Sequence, residues 1–295
     1  MYRARLADAV IKTIRMNQQF LITLSEGAAL TPSFVQAANS IASYCKWIVM
    51  QSLPAGDYAA GLQTFKAHAG TWYDTIYPTY LDMPATIVSS DTQINNNLNM
   101  LLSLAQQLDG GSTPALEQQL TLYANQLIKT LQDLQGRISS LSQAVTAFAN
   151  NLGSDSNTAR NAMNNMQNQI AQDNNQLSQL YGRLHSLQNA TCPDGGQISD
   201  CSKQISNEQA QINSLRQSQN LYDQVNSNAS QAVNGANYLA SFWQGIVVDI
   251  QNCVISLQRI PNETGVILKI DLQANQANWQ RLEAELQQIS QQIST

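Results

Sequence analysis

The stretch from Ser154 to Val225 decides the fold, and its centre reads Asn189-Ala190-Thr191-Cys192-Pro193-Asp194-Gly195-Gly196. Proline and paired glycines stop a helix, so this centre predicts a turn. On either side of the turn, apolar residues recur mostly at helical spacings, with Asp173 as an exception in the first seam. The first seam consists of Met163, Met166, Ile170, Leu177, Leu180, Leu184 and Leu187, and the second runs from Ile198 to Val225. We therefore predict two long antiparallel helices.

The composition favours a large and ordered helical protein. The chain has 295 residues, of which 43% are hydrophobic and 12% are charged. That charged share is about half of the usual one, and asparagine and glutamine supply about a fifth of all residues instead. Because the apolar residues keep a helical period along the chain, we predict helices with amide-rich outer faces instead of a disordered tract.

The charge and hydropathy patterns argue against nucleic-acid binding and against an ordinary transmembrane helix. The net charge is -5 and is spread without blocks. A nucleic-acid-binding protein needs a basic stripe that neutralises phosphates, so we predict no nucleic-acid partner. No run of about 18 residues lacks polar side chains, so no ordinary transmembrane helix is predicted. The first residues do not resemble a secretory signal, and we expect another export route or a signal missing from this sequence.

Two of the four cysteines bracket the predicted turn. We predict that Cys192 and Cys201 form a disulfide, which in a loop-entropy estimate stabilises the fold by about 2.5–3 kcal/mol. Zinc is the alternative, but no histidine or second cysteine pair lies nearby in the sequence to complete a tetrahedral site. A disulfide indicates an oxidising compartment, so we predict a secreted protein. Cys45 and Cys253 lie in apolar helical stretches, either as a pair or as two buried thiols.

The remaining seams predict a bundle beside the hairpin. Eleven apolar residues at spacings of three and four run from Leu116 to Leu152, and all four tryptophans lie outside the hairpin, where we expect the thicker core. The predicted fold is all-α, an elongated bundle of about five long helices with a protruding antiparallel hairpin and a small head. The bundle, or tail, comprises residues 1–153 and 226–295, the hairpin 154–225, and the head tip about 188–204.

Glycines at the predicted helix junctions are candidate hinges. Gly110 and Gly111 precede the eleven-residue seam, and Gly153 follows it. At Gly153 the sequence predicts either a kink in one very long helix or a true break. In the second case Ser154 or Asp155 would cap the next helix.

Residues that indicate catalysis are nearly absent. His68 and His185 are far apart, neither lies beside a nucleophile in a strand–turn–helix context, and both are predicted to be surface residues. Phosphate-binding, zinc-protease and dinucleotide-binding motifs do not occur. We predict that the chain is not an enzyme and holds no catalytic residue, cofactor or metal ion.

Four features, taken in order along the chain, carry a family resemblance. They are Trp72-Tyr73-Asp74 ahead of Tyr77-Pro78, a helix running into Leu152-Gly153-Ser154-Asp155, Trp243 in an apolar helix after the hairpin, and Trp279 in a last helix. Over most of its length the chain resembles the helical pore-forming toxins of the hemolysin BL, non-hemolytic enterotoxin and cytolysin A type. This resemblance implies a tail of about five helices and a head whose hydrophobic segment enters the bilayer. It also implies soluble monomers that rearrange and assemble into rings.

The chain departs from that family in its head. Between Leu187 and Ile205 it is polar, and such a loop gains nothing by leaving water for hydrocarbon. We therefore predict that this tip does not insert. Within the family, the chain is then either one component of a multi-part toxin or a single-component toxin that inserts its amphipathic N-terminal helix. The candidate inserting residues of that helix are Leu6, Val10, Ile11, Ile14, Phe20, Leu21 and Leu24.

The resulting functional prediction is a secreted pore-forming toxin, or one component of such a toxin. Its predicted partners are the target-cell membrane and further copies of itself or other toxin components. The alternative from another class is a non-enzymatic coiled-coil adhesin, spacer or secretion-tip protein. The contrast between an aromatic-rich tail and a slender hairpin favours the toxin, because a spacer would be uniform along its length.

Overall fold

The structure, a computed structural model, describes residues 27–54, 58–108, 111–192, 194–259 and 265–293. These residues form six α-helices: α1 (Gly27–Met50), α2 (Ala59–Thr71), α3 (Tyr77–Leu108), α4 (Pro114–Gln188), α5 (Gly195–Leu257) and α6 (Gly265–Ile293). One turn of π-helix, Trp72–Ile76, joins α2 to α3. No strand occurs in these described ranges, and the predicted all-α class is confirmed.

Helix α4 begins where the sequence supplies a cap. The side-chain Oγ1 of Thr113 accepts a hydrogen bond from the backbone N–H of Leu116 at 3.3 Å. Pro114 occupies the first helical position, where its missing N–H costs nothing. Of the eleven seam residues from Leu116 to Leu152, all but Tyr123 are buried. The seam is therefore the inner face of α4, and the amide-rich residues cover its outer face.

The helices are grouped in two compact units. Unit 1 contains the described parts of residues 1–40, 72–147 and 235–295, and unit 2 contains those of 41–71 and 148–234. Helices α4 and α5 each contribute residues to both units. The sequence pattern predicts residues 41–71 in the tail, whereas the structure groups them with the hairpin.

Unit 1 is organised around an aromatic cluster in which Phe34 of α1 meets α3 and α5. The ring centroid of Phe34 lies 5.4 Å from that of Tyr80, 4.8 Å from that of Phe242 and 5.9 Å from that of Trp243. Trp72 extends the cluster, 6.2 Å from Tyr80. Aromatic pairs at such separations stabilise a core beyond the area they bury. The aromatic stretch that begins at Trp72 thus leads into α3 and supplies rings to this core.

Two further contacts hold helices of unit 1 together. A Cβ atom on Gly235 of α5 would lie only 2.7 Å from the carbonyl oxygen of Ala37 in α1, so this close approach requires glycine. Helix α6 packs along α3, where the indole Nε1 of Trp279 donates a hydrogen bond to Asp91 Oδ1 at 2.6 Å. The first and last described helices are thereby fixed to the longer ones between them.

In unit 2 the α4 and α5 arms run antiparallel, which confirms the predicted hairpin. Ser156 Oγ donates a hydrogen bond to Asn226 Oδ1 at 2.8 Å, and farther along the pair Gln209 Nε2 donates to the hydroxyl of Tyr181 at 2.7 Å. The residue numbers rise along one arm as they fall along the other. At 1.5 Å per residue, the α4 arm of unit 2 is about 60 Å long.

Residues 41–71 lie in unit 2 because α2 packs against the α5 arm. The ring of Tyr222 lies 5.8 Å from that of Phe65 and 6.0 Å from that of Tyr58, and its hydroxyl donates a hydrogen bond to the Tyr58 carbonyl. A Cβ atom on Gly61 would lie 2.7 Å from the same hydroxyl. Tyr222 is fully buried by these contacts, although its place in the α5 seam gives no indication of which helix covers it.

Candidate functional site

The hairpin tip is exposed and polar, as its sequence predicts. The described residues from Gln188 to Gln197 are all exposed. Asp194 caps α5, because its Oδ1 accepts hydrogen bonds from the backbone N–H groups of Gly196 at 2.8 Å and Gln197 at 3.3 Å. The described part of the tip is therefore a capped, water-facing turn with no large apolar side chain.

The predicted disulfide between Cys192 and Cys201 is wrong for this structure, which contains both residues as free thiols. Cys192 is exposed in the turn, whereas Cys201 lies in the second turn of α5 and is 2% exposed. Its Sγ donates a hydrogen bond to the Leu180 carbonyl at 3.4 Å. Cys201 thus occupies a seam position and points at the opposite arm. Cys45 and Cys253 are also free thiols.

A buried polar cluster joins three helices of unit 2. Asp155 of α4 is 1% exposed, and its Oδ1 lies 2.8 Å from His68 Nδ1 on α2. Tyr44 and Cys45 of α1 are buried beside it and feel its negative charge. The second carboxylate oxygen of Asp155 and the hydroxyl of Tyr44 have no hydrogen-bond partner among the described residues. The cluster is therefore only partly satisfied, and a partly satisfied buried polar group costs stability.

Burial dominates the electrostatics of this cluster. It raises the pKa of the Asp155 carboxyl from 3.8 to about 6, while the adjacent His68 acts in the opposite direction. Burial, with a smaller contribution from Asp155, also raises the pKa of the Tyr44 hydroxyl and brings that of the Cys45 thiol to about 12. Tyr44 and Cys45 are thus neutral at physiological pH, and Asp155 titrates around pH 6.

The sequence pattern predicted other roles for His68 and Asp155, namely a surface residue and a possible helix cap. His185 is exposed as predicted, but the His68 side chain is only 25% exposed and is bonded to Asp155. Asp155 is not a helix cap, because α4 continues through it. The sequence did contain a sign that Asp155 is buried, because it continues the helical spacing of the apolar seam. In the structure the four residues at this spacing are all buried: Phe148, Leu152, Asp155 and Ala159. A carboxylate at a seam position needs a buried partner, and only the fold shows that the partner is His68.

The candidate hinges occupy different settings. Gly111 has a φ of 123°, a left-handed conformation that glycine adopts without strain, in the connection between α3 and α4. Gly110 lies outside the described residues. Gly153 lies inside α4, which continues through it as one helix from Pro114 to Gln188. A true break is thereby excluded in this structure, and the role of these glycines as hinges stays a prediction.

Replacing Gly153 with alanine is expected to raise the free energy of unfolding by about 0.5–1 kcal/mol, because alanine loses less backbone entropy in a helix. An added Cβ atom meets nothing within 4 Å. Urea unfolding followed by circular dichroism measures the change. Gly136→Ala and Gly182→Ala are matched controls, since both glycines lie in α4 with equally open surroundings. If Gly153 is a hinge, Gly153→Ala alone slows assembly on membranes, and equal rates in all three variants would remove it as a candidate.

The predicted N-terminal inserting helix, with Leu6, Val10, Ile11, Ile14, Phe20, Leu21 and Leu24, lies outside the described residues. Among the helices that the structure describes, none combines the length and the apolar composition that crossing a bilayer requires.

Comparison with known proteins identifies the fold. Residues 54–192 match the family model of the Bacillus haemolytic enterotoxin (HBL). The resemblance to the helical pore-forming toxins is confirmed. The matched residues include His68, Asp155, the α4 seam and the start of the hairpin tip, whereas Tyr44 and Cys45 precede the match. Among curated proteins, none matches the sequence of this chain.

Several solved structures share the fold of this chain over most of its length. XaxA from Xenorhabdus nematophila aligns with a TM-score of 0.67 at 11% identity, over 88% of this chain and 96% of that one. The soluble AhlC of the tripartite alpha-pore forming toxin AHL from Aeromonas hydrophila aligns with a TM-score of 0.65 at 12% identity, over 87% and 96%. The AhlB pore of the same toxin aligns with a TM-score of 0.55 at 19% identity, over 86% of this chain and 98% of that one. At such identities the likeness shows the fold.

Proposed function

We propose that this chain is one component of a multi-part helical pore-forming toxin. In this proposal it is secreted as a soluble monomer, which rearranges and oligomerises on target-cell membranes with other components. The observation that supports this most is the shared fold over most of the chain with AhlC and AhlB, two proteins of one tripartite toxin. The match of residues 54–192 to the enterotoxin family points to the same class of protein.

The hairpin tip favours a component over a toxin that acts alone. A head that enters the bilayer first needs apolar surface, and the described residues of this tip are exposed and polar. Another component would then insert first, and this chain would complete or line the pore. A single-component toxin that inserts its N-terminal helix is the second candidate. The non-lytic adhesin, spacer or secretion-tip protein is the alternative from another class.

We also propose that the chain acts without catalysis, through packing and assembly. In the family the work is a change of helix packing and of oligomeric state, which needs no reacting group. The His68–Asp155 pair fits this proposal as a contact between helices, because it joins α2 to α4. The thiol buried beside it, Cys45, stays protonated, because burial raises its pKa to about 12.

Dye release tests the proposed function. Liposomes and red cells are exposed to the chain alone, to culture supernatant of the source organism lacking this chain, and to both together. Leakage only in the mixture, with rings in negative-stain images of the treated liposomes, is expected. Leakage by the chain alone would favour the single-component toxin. No leakage and no rings in any combination would support the adhesin or spacer instead.

A further inference from the structure

The C-terminal end of α1 carries an unusual concentration of exposed apolar side chains. Val49 is 47% exposed, Met50 70% and Leu53 46%. In the described part of unit 2, Tyr181 is the only other large apolar residue with comparable exposure. Trp47 lies half-buried beside these residues in the sequence. We call Trp47, Val49, Met50 and Leu53 the α1 tip.

The backbone of the α1 tip is already hydrogen-bonded within the chain. The last turn of a helix leaves carbonyl oxygens that normally bond to water. Here the carbonyl of Trp47 accepts from Gln51 Nε2 at 3.0 Å, and that of Ile48 accepts from the Gln51 N–H at 3.2 Å. The carbonyls of Val49, at 3.0 Å, and of Gln51 both accept from Lys66 Nζ. A helix end with these carbonyls occupied loses little when water is removed.

The segment that contains the α1 tip carries lysines and no carboxylate among its described residues, in contrast to the chain as a whole. The described residues between Ile41 and Thr71 include Lys46, which is exposed, and Lys66, but no aspartate or glutamate. Asp57 lies outside the described residues. The net charge of the chain is -5. Lysine stems pack on apolar surface while their ammonium groups stay at the level of phosphates, and tryptophan prefers the same interfacial layer.

We propose that the α1 tip is the surface by which this chain contacts the phospholipid bilayer before assembly. Met50, Leu53 and Val49 enter the boundary between headgroups and acyl chains, with Trp47 at the interface and the exposed ammonium group of Lys46 on lipid phosphates, while Lys66 keeps its bonds to the carbonyls. This inference rests on the proposed function and assigns the membrane contact to α1 instead of the hairpin tip. A lipid surface suits the α1 tip better than a protein, because it requires apolar side chains, occupied carbonyls and basic groups together.

Flotation with lipid vesicles tests this inference on the full chain. The vesicles are made of phosphatidylcholine, with and without phosphatidylglycerol. The double variant Met50→Ser with Leu53→Ser is expected to lower the partition coefficient by about tenfold or more, because two exposed apolar side chains no longer leave water. The matched control is Met100→Ser with Leu122→Ser, which removes the same two residue types at 42% and 53% exposure in unit 1. The control is expected to float like the unchanged chain.

Tryptophan quenching supplies a second readout. Trp72 and Trp243 are 0% exposed and Trp279 is 4% exposed, so Trp47 is the tryptophan nearest to solvent. Acyl-brominated phosphatidylcholine is expected to quench Trp47, and Trp47→Phe is expected to abolish that quenching.

Three results would overturn the inference. They are flotation of the Met50/Leu53 variant equal to that of the unchanged chain, absence of Trp47 quenching, and failure of the unchanged chain to float. If the variant loses self-association or leakage in the mixture while floating normally, the α1 tip binds a second copy or another protein instead. In each of these cases, dye leakage by the unchanged chain with the supernatant tests the proposed function separately. A failure of the α1-tip inference can therefore be told apart from a failure of the proposed function.

Discussion

Replacing Trp243 with alanine is expected to lower the free energy of unfolding by about 3–5 kcal/mol, the largest effect of any single substitution considered for this chain. Trp243 is 0% exposed in unit 1. Its ring lies 5.9 Å from that of Phe34, 6.5 Å from that of Tyr80 and 5.2 Å from that of Phe242. Alanine would remove these contacts of α5 with α1 and α3 and leave a cavity among rigid rings. Urea unfolding followed by circular dichroism measures the loss.

The indole nitrogen of Trp243 makes the substitution simple to interpret. Its Nε1 has no hydrogen-bond partner among the described residues, so the expected loss comes from packing. Trp243→Phe keeps one ring and loses no hydrogen bond, and it is expected to cost about 1–2 kcal/mol. Trp279→Phe is a useful comparison, because it also removes the bond from Nε1 to Asp91. A loss below about 1 kcal/mol for Trp243→Ala would show that the aromatic cluster does not hold α1 in place.

Lowering the pH from about 7 to about 4 is expected to stabilise the chain relative to its Asp155→Asn variant by about 2–3 kcal/mol. In the fold, burial raises the pKa of Asp155 to about 6, whereas in the unfolded chain the carboxyl has its ordinary value near 3.8. The folded state therefore binds the proton more tightly. This contribution is complete below about pH 4 and is lost as the pH rises through about 6. Asparagine does not titrate, so the variant lacks this pH-dependent contribution to stability.

The difference in stability between the unchanged protein and the Asp155→Asn variant separates the effect of Asp155 from that of other carboxyl groups. Burial also raises the pKa of Asp249 to about 6, and that residue adds its own pH dependence to both chains equally. The groups that face Asp155 are His68, Tyr44 and Cys45, and all three are kept in the variant. Urea midpoints measured across this pH range give the two profiles. Parallel profiles would mean that Asp155 is solvated in the native state and that the cluster does not join α2 to α4.

The pH dependence of Asp155 bears on the proposed rearrangement of the soluble form. At neutral pH, an ionised Asp155 with one unpartnered oxygen weakens the packing of residues 41–71 against α4. Protonation removes that cost and strengthens the soluble form. Through Asp155, the soluble form that rearranges in the proposed function is thus less stable at neutral pH than in acid.

The sequence by itself determined the helices, their seams and the polar hairpin tip. Helical periodicity is a local property, so the eleven-residue α4 seam, the turn at Pro193 and the family resemblance were all readable without coordinates. Only the tertiary structure decided which seams meet. It placed His68 against Asp155 across 87 positions, grouped residues 41–71 with the hairpin, and directed the Cys201 thiol at the Leu180 carbonyl. The physical reason is that the helical period of a sequence shows which face of a helix is buried. Which other helix covers that face depends on how helices distant in sequence pack together.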